Sequence, residues 1–139
     1  RKVLFQHRSR IQMKRYLTAV AAVVGMFAVA GAANAQSAEN GEAVFKVCKA
    51  CHQVGASAKN GVGPLLNAIV GRKAGTVEGY NYSDANKEAG AGGLVWTEEK
   101  LISYLEKPAT FMPKTKMAFA GVKDEADRKD LVAYLKTLK

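Results

Sequence analysis

The chain has 139 residues, 48% of them hydrophobic, so it suits one globular domain and is too apolar for a disordered tail. Its formal charge of +9 would favour nucleic acid or an anionic membrane as a partner. However, residues 1–35 hold six of the 21 basic residues and no acidic one, which leaves 15 basic against 12 acidic residues, or about +3. The remaining charge gives no reason to expect a nucleic-acid partner.

The first segment has the three parts of a secretory signal peptide. Lys14 and Arg15 precede an apolar run over residues 16–33, which ends at the small-x-small sequence Ala33-Asn34-Ala35. The alternative is an uncleaved membrane anchor, because about 20 apolar residues span a bilayer. Against an anchor, the run is rich in alanine and lacks a basic cluster on its far side.

We expect export with cleavage after Ala35, and a translation start at Met13 with residues 1–12 lying upstream. The domain prediction is therefore residues 1–35 as upstream residues and cleaved signal peptide. Residues 36–139 form the mature domain.

The mature segment predicts short helices joined by long loops. Residues 38–49 favour a helix whose apolar face contains Ala43, Val44, Phe45 and Val47. Another short apolar stretch, residues 65–70, lies between Gly63-Pro64 and Gly71.

Two further helices are predicted in the second half. Thr97-Glu98-Glu99 is typical of a capped helix start, and Pro108 should end that helix. Asp124-Glu125 opens the last helix in the same way. Their apolar faces are Leu101, Tyr104 and Leu105 in the first of these helices, and Leu131, Leu135 and Leu138 in the last.

The rest of the mature segment is predicted to be irregular, because no stretch alternates convincingly as a strand would. The predicted loops are residues 52–64, 71–83, 86–96 and 107–123. So much loop over so few core residues is unstable for a bare chain of this size. We therefore expect a bound group to fill the core.

The sequence Cys48-Lys49-Ala50-Cys51-His52 identifies that group, because C-x-x-C-H is the attachment signature of c-type haem. One helical turn separates the two thiols, which suits thioether bonds to two vinyl groups on one porphyrin edge. The next residue, His52, then reaches the iron.

Three other interpretations of this motif compete. A structural zinc site needs four ligands of this kind, and the mature segment offers only Cys48, Cys51 and His52. A thioredoxin-type pair needs a βαβ context, which the sequence does not predict. A plain disulfide is possible in an exported protein, but it would leave His52 without a role and the core unfilled.

A sixth iron ligand is expected from Met112 or Met117, the two methionines of the mature segment. Packing in the core is what most methionines do, so either could be structural. Met112 lies between Phe111 and Pro113, whereas Met117 lies in a polar loop, so the spacing favours Met117. Ligation by His and Met raises the haem potential and leaves no open coordination position, which suits electron transfer.

With these residues in place, the mature chain resembles the class I cytochromes c, most closely the bacterial cytochrome c2 and mitochondrial cytochrome c group. The resemblance covers nearly all of residues 38–139. Its motifs, in family order, are Cys48-x-x-Cys51-His52, Gly63-Pro64-x-Leu66, Gly71-Arg72-Lys73, Tyr82-Ser83-Asp84-Ala85-Asn86, Trp96, Tyr104-Leu105-x-x-Pro108 and Pro113-x-Thr115-Lys116-Met117-x-Phe119-x-Gly121. The resemblance implies an all-α cytochrome c fold, with short helices and long loops wrapped around one covalent haem c.

The resemblance also implies roles for single residues. It makes Met117 the distal ligand, and it makes the carbonyl of Pro64 the hydrogen-bond partner of the His52 ring. Four positions are similar to those that surround the haem propionates: these are Arg72, Tyr82, Trp96 and Thr115. Asn86 and Tyr104 match positions that hold a buried water near the methionine. Lys114 stands where the family commonly has glycine.

We therefore expect a soluble periplasmic one-electron carrier, not an enzyme, and a monomer. It would carry electrons from a membrane donor resembling the cytochrome bc1 complex to a terminal oxidase or a photosynthetic reaction centre. The lysines expected at the haem edge, which would meet these membrane complexes, are Lys46, Lys49, Lys114, Lys116 and Lys123. A haem enzyme such as a peroxidase, and a membrane-tethered carrier that keeps residues 16–33, are the alternatives.

Overall fold

The computed structural model describes residues 36–139, so the predicted signal peptide and its cleavage site lie outside the described residues. The helices of this part are α1 (Ala38–Phe45), α2 (Asp84–Ala91), α3 (Glu98–Glu106), α4 (Pro108–Phe111) and α5 (Glu125–Thr137). Within residues 36–139 the only β pairing is an isolated bridge between Lys73 and Val95. In the same range, no helix has the length and hydropathy needed to cross a bilayer.

Hydroxyl or carboxylate side chains cap four of these helices. Ser37, Ser83, Thr97 and Asp124 each accept a hydrogen bond from the backbone N–H three residues later. Such a cap satisfies one of the amides that the first helical turn leaves without a partner. The predicted starts at Thr97 and Asp124 are therefore confirmed.

The first and last helices cross at a glycine. A Cβ on Gly41 would lie 1.9 Å from the carbonyl oxygen of Asp130, so only glycine permits this approach. Beside the crossing, the rings of Phe45 and Tyr134 pack with their centroids 5.4 Å apart. Phe45 and Leu131 are fully buried there, and the α1–α5 pair forms one wall of the core.

The structure corrects three of the predicted elements. Residues 86–96 were expected to be a loop, yet α2 occupies Asp84–Ala91. Its sequence is mostly polar or small, and the helix is held by the Ser83 cap and by Gly90, whose missing side chain leaves room for the carbonyl of Ala74. Composition alone could not show that contact.

The other corrections concern helix ends. The first helix stops at Phe45 and continues as turns, so Val47 is exposed rather than part of the apolar face. In the second half, α3 does end before Pro108, but this proline also starts the short helix α4. Proline suits a first helical position because its missing N–H would have no partner there.

Candidate functional site

The core of the described residues contains a cavity of about 420 Å³. All eleven residues predicted to hold or surround a haem line it: Cys48, Cys51, His52, Pro64, Arg72, Tyr82, Asn86, Trp96, Tyr104, Thr115 and Met117. Leucine, isoleucine and aromatic side chains form much of the remaining wall. The fold thus gathers residues from nearly the whole of residues 36–139 around one largely apolar space.

On one side of the cavity, the turns after α1 present the two thiols. The amide of Cys51 donates to the carbonyl of Cys48 at 3.1 Å, and the amide of His52 donates to the same carbonyl at 2.9 Å. These bonds keep the segment in one helical turn, and Cys48, Cys51 and His52 all line the cavity. Burial, and then the nearby charge of Cys51, raises the pKa of the Cys48 thiol to about 11.

The His52 ring is fixed by its neighbours. Its Nδ1 lies 2.7 Å from the carbonyl oxygen of Pro64, which can only accept, so Nδ1 carries the proton and donates. Burial lowers the pKa of His52, against the opposing effect of this hydrogen bond. The neutral ring therefore keeps Nε2 unprotonated, which is the form that binds a metal.

Gly63 allows this arrangement. A Cβ at that position would lie 2.4 Å from Cε1 of His52 and 2.7 Å from Nδ1, too close for any side chain. Moreover, the amide of Gly63 donates to the carbonyl of Cys51 at 2.8 Å. This bond joins the two ends of the loop formed by residues 51–63.

The other side of the cavity includes the loop that carries Met112 and Met117, the two methionines of residues 36–139. Met117 lines the cavity, whereas Met112 is 5% exposed, packs in the core and is not among the lining residues. The hydroxyl of Tyr104 donates to the sulfur of Met117 at 3.3 Å and lies 3.4 Å from Oγ1 of Thr115. The structure thus brings Met117, not Met112, to the cavity with His52.

The turn before Met117 is strained. The amide of Thr115 donates to the carbonyl of Met112 at 3.2 Å, which closes a four-residue turn with Pro113 second and Lys114 third. Lys114 has φ +65°, the left-handed conformation that usually requires glycine at the third position of such a turn. The resemblance had marked this position as one where the family commonly has glycine.

The polar side chains expected at the propionate end all line the cavity, and Arg72 and Tyr82 lie near each other. The guanidinium of Arg72 donates to the carbonyls of Asn67 at 2.9 Å and Leu65 at 3.1 Å. Burial lowers the pKa of Arg72 and raises that of Tyr82, whose hydroxyl accepts from the amide of Val77. Two backbone carbonyls do not neutralise a guanidinium, so this wall suits an anionic group.

Asn86 also lines the cavity and contributes an oxygen atom without a hydrogen-bond partner among the described residues. This side-chain oxygen is buried. A buried acceptor of this kind is costly unless a donor from water or a bound group reaches it.

These observations meet the requirements of a covalent haem. The cavity is lined by two cysteines, a histidine and a methionine among apolar residues, and also by an arginine and several residues with hydroxyl groups. By contrast, residues 36–139 contain no cluster of three or more His, Cys, Asp or Glu residues that could hold a metal ion alone. The donor set fits an iron that is held mainly by a macrocycle.

Comparison with known families decides the assignment. The family model described as "Cytochrome c" matches residues 38–139. The chain belongs to the cytochrome c family. It is an electron-transfer protein rather than an enzyme, and it carries one covalently bound haem c.

Individual relatives of this cytochrome c support the bacterial cytochrome c2 group. Cytochrome c2 of Blastochloris viridis is 51% identical, over 82% of this chain and 90% of the relative. That of Rhodopseudomonas palustris is 45% identical, over 91% of this chain and 99% of the relative. The solved cytochrome c2 of Rhodospirillum centenum superposes with a TM-score of 0.70 at 47% identity, covering 73% of this chain and 98% of that one. The predicted all-α cytochrome c fold is confirmed.

Some cavity residues of this cytochrome c were not singled out from the sequence. Tyr80 and Ile69 line the cavity, as does Lys116, which the sequence analysis proposed as a docking lysine at the haem edge. The rings of Tyr80 and Tyr82 meet edge to face at 4.8 Å. In the sequence, the only feature that linked Tyr80 with Tyr82 was their separation by one residue. Such a separation is common in loops and does not indicate a shared role.

Proposed function

We propose that this cytochrome would hold its haem through thioether bonds to Cys48 and Cys51, and that His52 and Met117 would bind its iron. The observation that carries this proposal is that an imidazole nitrogen and a thioether sulfur line one cavity beside both thiols. The haem supplies one-electron storage at its iron. Everything else in the site is supplied by the chain.

The chain's own groups orient the two ligands. The Pro64 carbonyl fixes the rotation of the His52 ring and increases the electron density on its free nitrogen. On the opposite side, the Tyr104 hydroxyl directs the positive end of its dipole at the Met117 sulfur. With His52 and Met117 both bound to the iron, no position would remain for oxygen or peroxide, which would favour outer-sphere electron transfer.

The propionates would lie along the wall formed by Arg72, Tyr82, Trp96 and Thr115. Arg72 has five N–H donors and uses part of them on backbone carbonyls, so it can donate further to a carboxylate. Pairing of the partly buried cation with the anionic groups would offset the desolvation of both. Asn86 and Tyr104 would hold a buried water near Met117.

We further propose that the mature protein starts at Gln36, acts in the periplasm as a soluble monomer, and needs no nucleic acid. It would accept electrons from a bc1-like complex and deliver them to an oxidase or a photosynthetic reaction centre. All five lysines proposed for the docking face, Lys46, Lys49, Lys114, Lys116 and Lys123, are exposed. Transient redox partners use such charges for encounter rate more than for affinity.

Intact mass of protein purified from the periplasmic fraction tests the attachment and the export together. The expected mass is residues 36–139 plus one haem, and the haem should resist extraction by acid acetone. A mass that includes residues 16–33 would support a membrane-tethered carrier and would show that the predicted cleavage after Ala35 is wrong. Extractable haem would overturn attachment through Cys48 and Cys51.

Electron-transfer kinetics test the docking face. The rate of reduction by an acidic bc1-type partner should fall as salt rises, with a shallow slope because the mature domain carries only about +3. Lys114→Glu should lower that rate several-fold more than Lys139→Glu, an equal charge change at an exposed position in the C-terminal segment. Equal effects would show that total charge matters and that no docking face exists.

A further inference from the structure

Two asparagines of this chain are each followed by glycine. Such a pair loses ammonia readily, because glycine has no side chain to obstruct attack by its own backbone nitrogen on the asparagine side chain. The pairs are Asn40-Gly41, which lies inside α1, and Asn60-Gly61, which lies in the loop formed by residues 51–63. They differ in how much of the protein must open before this reaction can occur.

The first pair is protected by the packing of two helices. The amide of Gly41 donates to the carbonyl of Ser37 at 2.9 Å as part of α1. Gly41 is also buried, and it lies so close to α5 that a Cβ would overlap the carbonyl of Asp130. Nδ2 of Asn40 donates to Oδ2 of the same aspartate at 3.3 Å. The nitrogen of Gly41 therefore becomes accessible only when α1 separates from α5, which is close to unfolding of the whole domain.

The second pair needs only a local opening. Gly61 is exposed, and its amide donates at 2.9 Å to the carbonyl of Gly63, only two residues further on. The half-buried side chain of Asn60 has two bonds: Oδ1 accepts from the amide of Leu65 at 3.1 Å, and Nδ2 donates to the carbonyl of Glu78 at 2.9 Å. Breaking these bonds frees the reacting atoms without disturbing a helix, so the cost is that of a loop fluctuation.

We propose that Asn60 is a site of spontaneous deamidation in the folded holoprotein, and that the reaction removes its bond to Glu78. The backbone nitrogen of Gly61 loses its proton to solvent and attacks Cγ of Asn60. The bond between Cγ and Nδ2 breaks, and the leaving nitrogen takes a proton from solvent and departs as ammonia. Water then opens the cyclic imide and yields aspartate or isoaspartate at position 60. Nothing is oxidised or reduced, and solvent water is the only co-reactant.

Both products carry a carboxylate where Asn60 has an amide. A carboxylate has no hydrogen to donate, so it cannot keep the bond to the carbonyl of Glu78 and places a negative charge against that oxygen. Among the described residues, the segment 78–82 then keeps one hydrogen bond to the loop of residues 51–63, from the hydroxyl of Tyr80 to the carbonyl of Val62 at 2.8 Å. Because Tyr80 and Tyr82 line the cavity, the modification affects the cavity wall from a residue outside it.

Ageing of the holoprotein in warm neutral buffer, followed by tryptic digestion and mass spectrometry, tests the site. Compared with an unaged sample, the peptide of residues 60–72 should gain the mass difference between an amide and a carboxylic acid. Fragment ions should assign this gain to Asn60 rather than to Asn67, which lies in the same peptide. The peptide that contains Asn40 should stay unmodified. No gain at Asn60, or an equally fast gain at Asn40, would overturn the proposal.

Gly61→Ala is the matched variant, because the structure has room for it. Its Cβ would lie 3.7 Å from the carbonyl oxygen of Cys51, an ordinary contact, yet it would obstruct the nitrogen that attacks Asn60. We expect it to slow the gain at Asn60 by about tenfold, which corresponds to about 1.4 kcal/mol in the barrier. Equal rates in the wild type and in Gly61→Ala would show that this nitrogen is not the nucleophile.

The lost bond is tested on the modified protein itself. Cation-exchange chromatography separates the aged fraction that has gained a negative charge, and its urea midpoint should be lower than that of the unmodified fraction. Asn60→Asp, prepared directly, should lower the midpoint in the same direction. Asn81→Asp is the control, since it adds the same charge at an exposed side chain for which the described structure shows no hydrogen bond. An unchanged midpoint in the modified fraction, or an equal loss in Asn81→Asp, would show that the bond to Glu78 is not what the reaction removes.

Discussion

His52 and Met117 reach the same cavity from segments that are held by different kinds of bond. On the histidine side, backbone bonds within residues 48–63 and a single carbonyl at Pro64 fix the ring. On the methionine side, the hydroxyl of Tyr104 and a bond from Lys116 to the distant carbonyl of Asn81 hold a loop with a strained turn. The histidine side is a local structure, whereas the methionine side depends on the folded protein.

This difference has a physical consequence for how each side responds to change. A ligand fixed by close backbone contacts tolerates little alteration of the backbone around it, because there is no space for adjustment. A ligand held by several side-chain bonds loses them singly and can be released without unfolding the domain. We therefore expect substitutions on the histidine side to impair folding and haem binding, and substitutions on the methionine side to release the ligand from a folded domain.

The largest expected effect is on the histidine side. In Gly63→Ala the new Cβ would overlap three atoms of the His52 ring, the nearest at 2.4 Å, and the Pro64 carbonyl prevents the ring from turning away. We expect the free energy of unfolding to fall by at least about 3 kcal/mol and little holoprotein to accumulate. Haem content per polypeptide, measured by absorbance against total protein, checks this.

Gly61→Ala is the control for that variant. Its Cβ would lie 3.7 Å from the carbonyl oxygen of Cys51, an ordinary contact. Haem content should stay near that of the wild type. Equal losses in the two variants would mean that the loop as a whole, rather than the space beside His52, limits assembly.

The methionine loop offers the second comparison, because its two methionines have separate environments. Met117→Ala should abolish the sulfur-to-iron charge-transfer band, lower the reduction potential and leave the iron open to added ligands. Met112→Ala should keep the band but lower the free energy of unfolding by about 2–5 kcal/mol, since its side chain is buried in the core. Spectra and urea unfolding of both variants test this. The reverse pattern would show that the wrong methionine has been assigned.

The smallest expected effect is a gain in stability on the methionine side. Lys114→Gly should relieve the strain of the left-handed conformation at φ +65°. Because glycine has more conformational entropy in the unfolded chain, part of this gain is lost, and the free energy of unfolding should rise by about 0.5–1 kcal/mol. Ala68→Gly, at φ +51°, is the matched change away from the ligand loop. Denaturant midpoints should rise in both. A fall in Lys114→Gly alone would mean that the lysine stabilises the turn through contacts that outweigh its strain.

The sequence motif was sufficient to predict the histidine side, because its chemistry is contiguous. The three residues Cys48, Cys51 and His52 lie within one helical turn, so their relative positions follow from their spacing in the sequence. The choice between Met112 and Met117 was less certain from the residues alone, since both are apolar residues in one loop. The structure separates them by burial and by the position of Tyr104.

Other features could not be predicted, because they depend on tertiary contacts. The α2 helix has a polar sequence that gives no apolar face, and its position depends on the close contact of Gly90 with Ala74. The bond from Lys116 to Asn81 joins two loops whose relative position follows only from the fold. In the same way, Arg128 is buried and donates to the carbonyls of Val122 and Lys123, a role that no local pattern indicated.

The crossing of α1 and α5 also constrains the order in which the protein folds. Its two contact points, Gly41 and Asp130, lie near opposite ends of residues 36–139, so the core closes only when the last helix docks on the first. Cys48 and Cys51 follow directly after α1 and lie on an open chain until that docking. If haem is attached through these two thiols as proposed, they are most accessible to it before α5 docks.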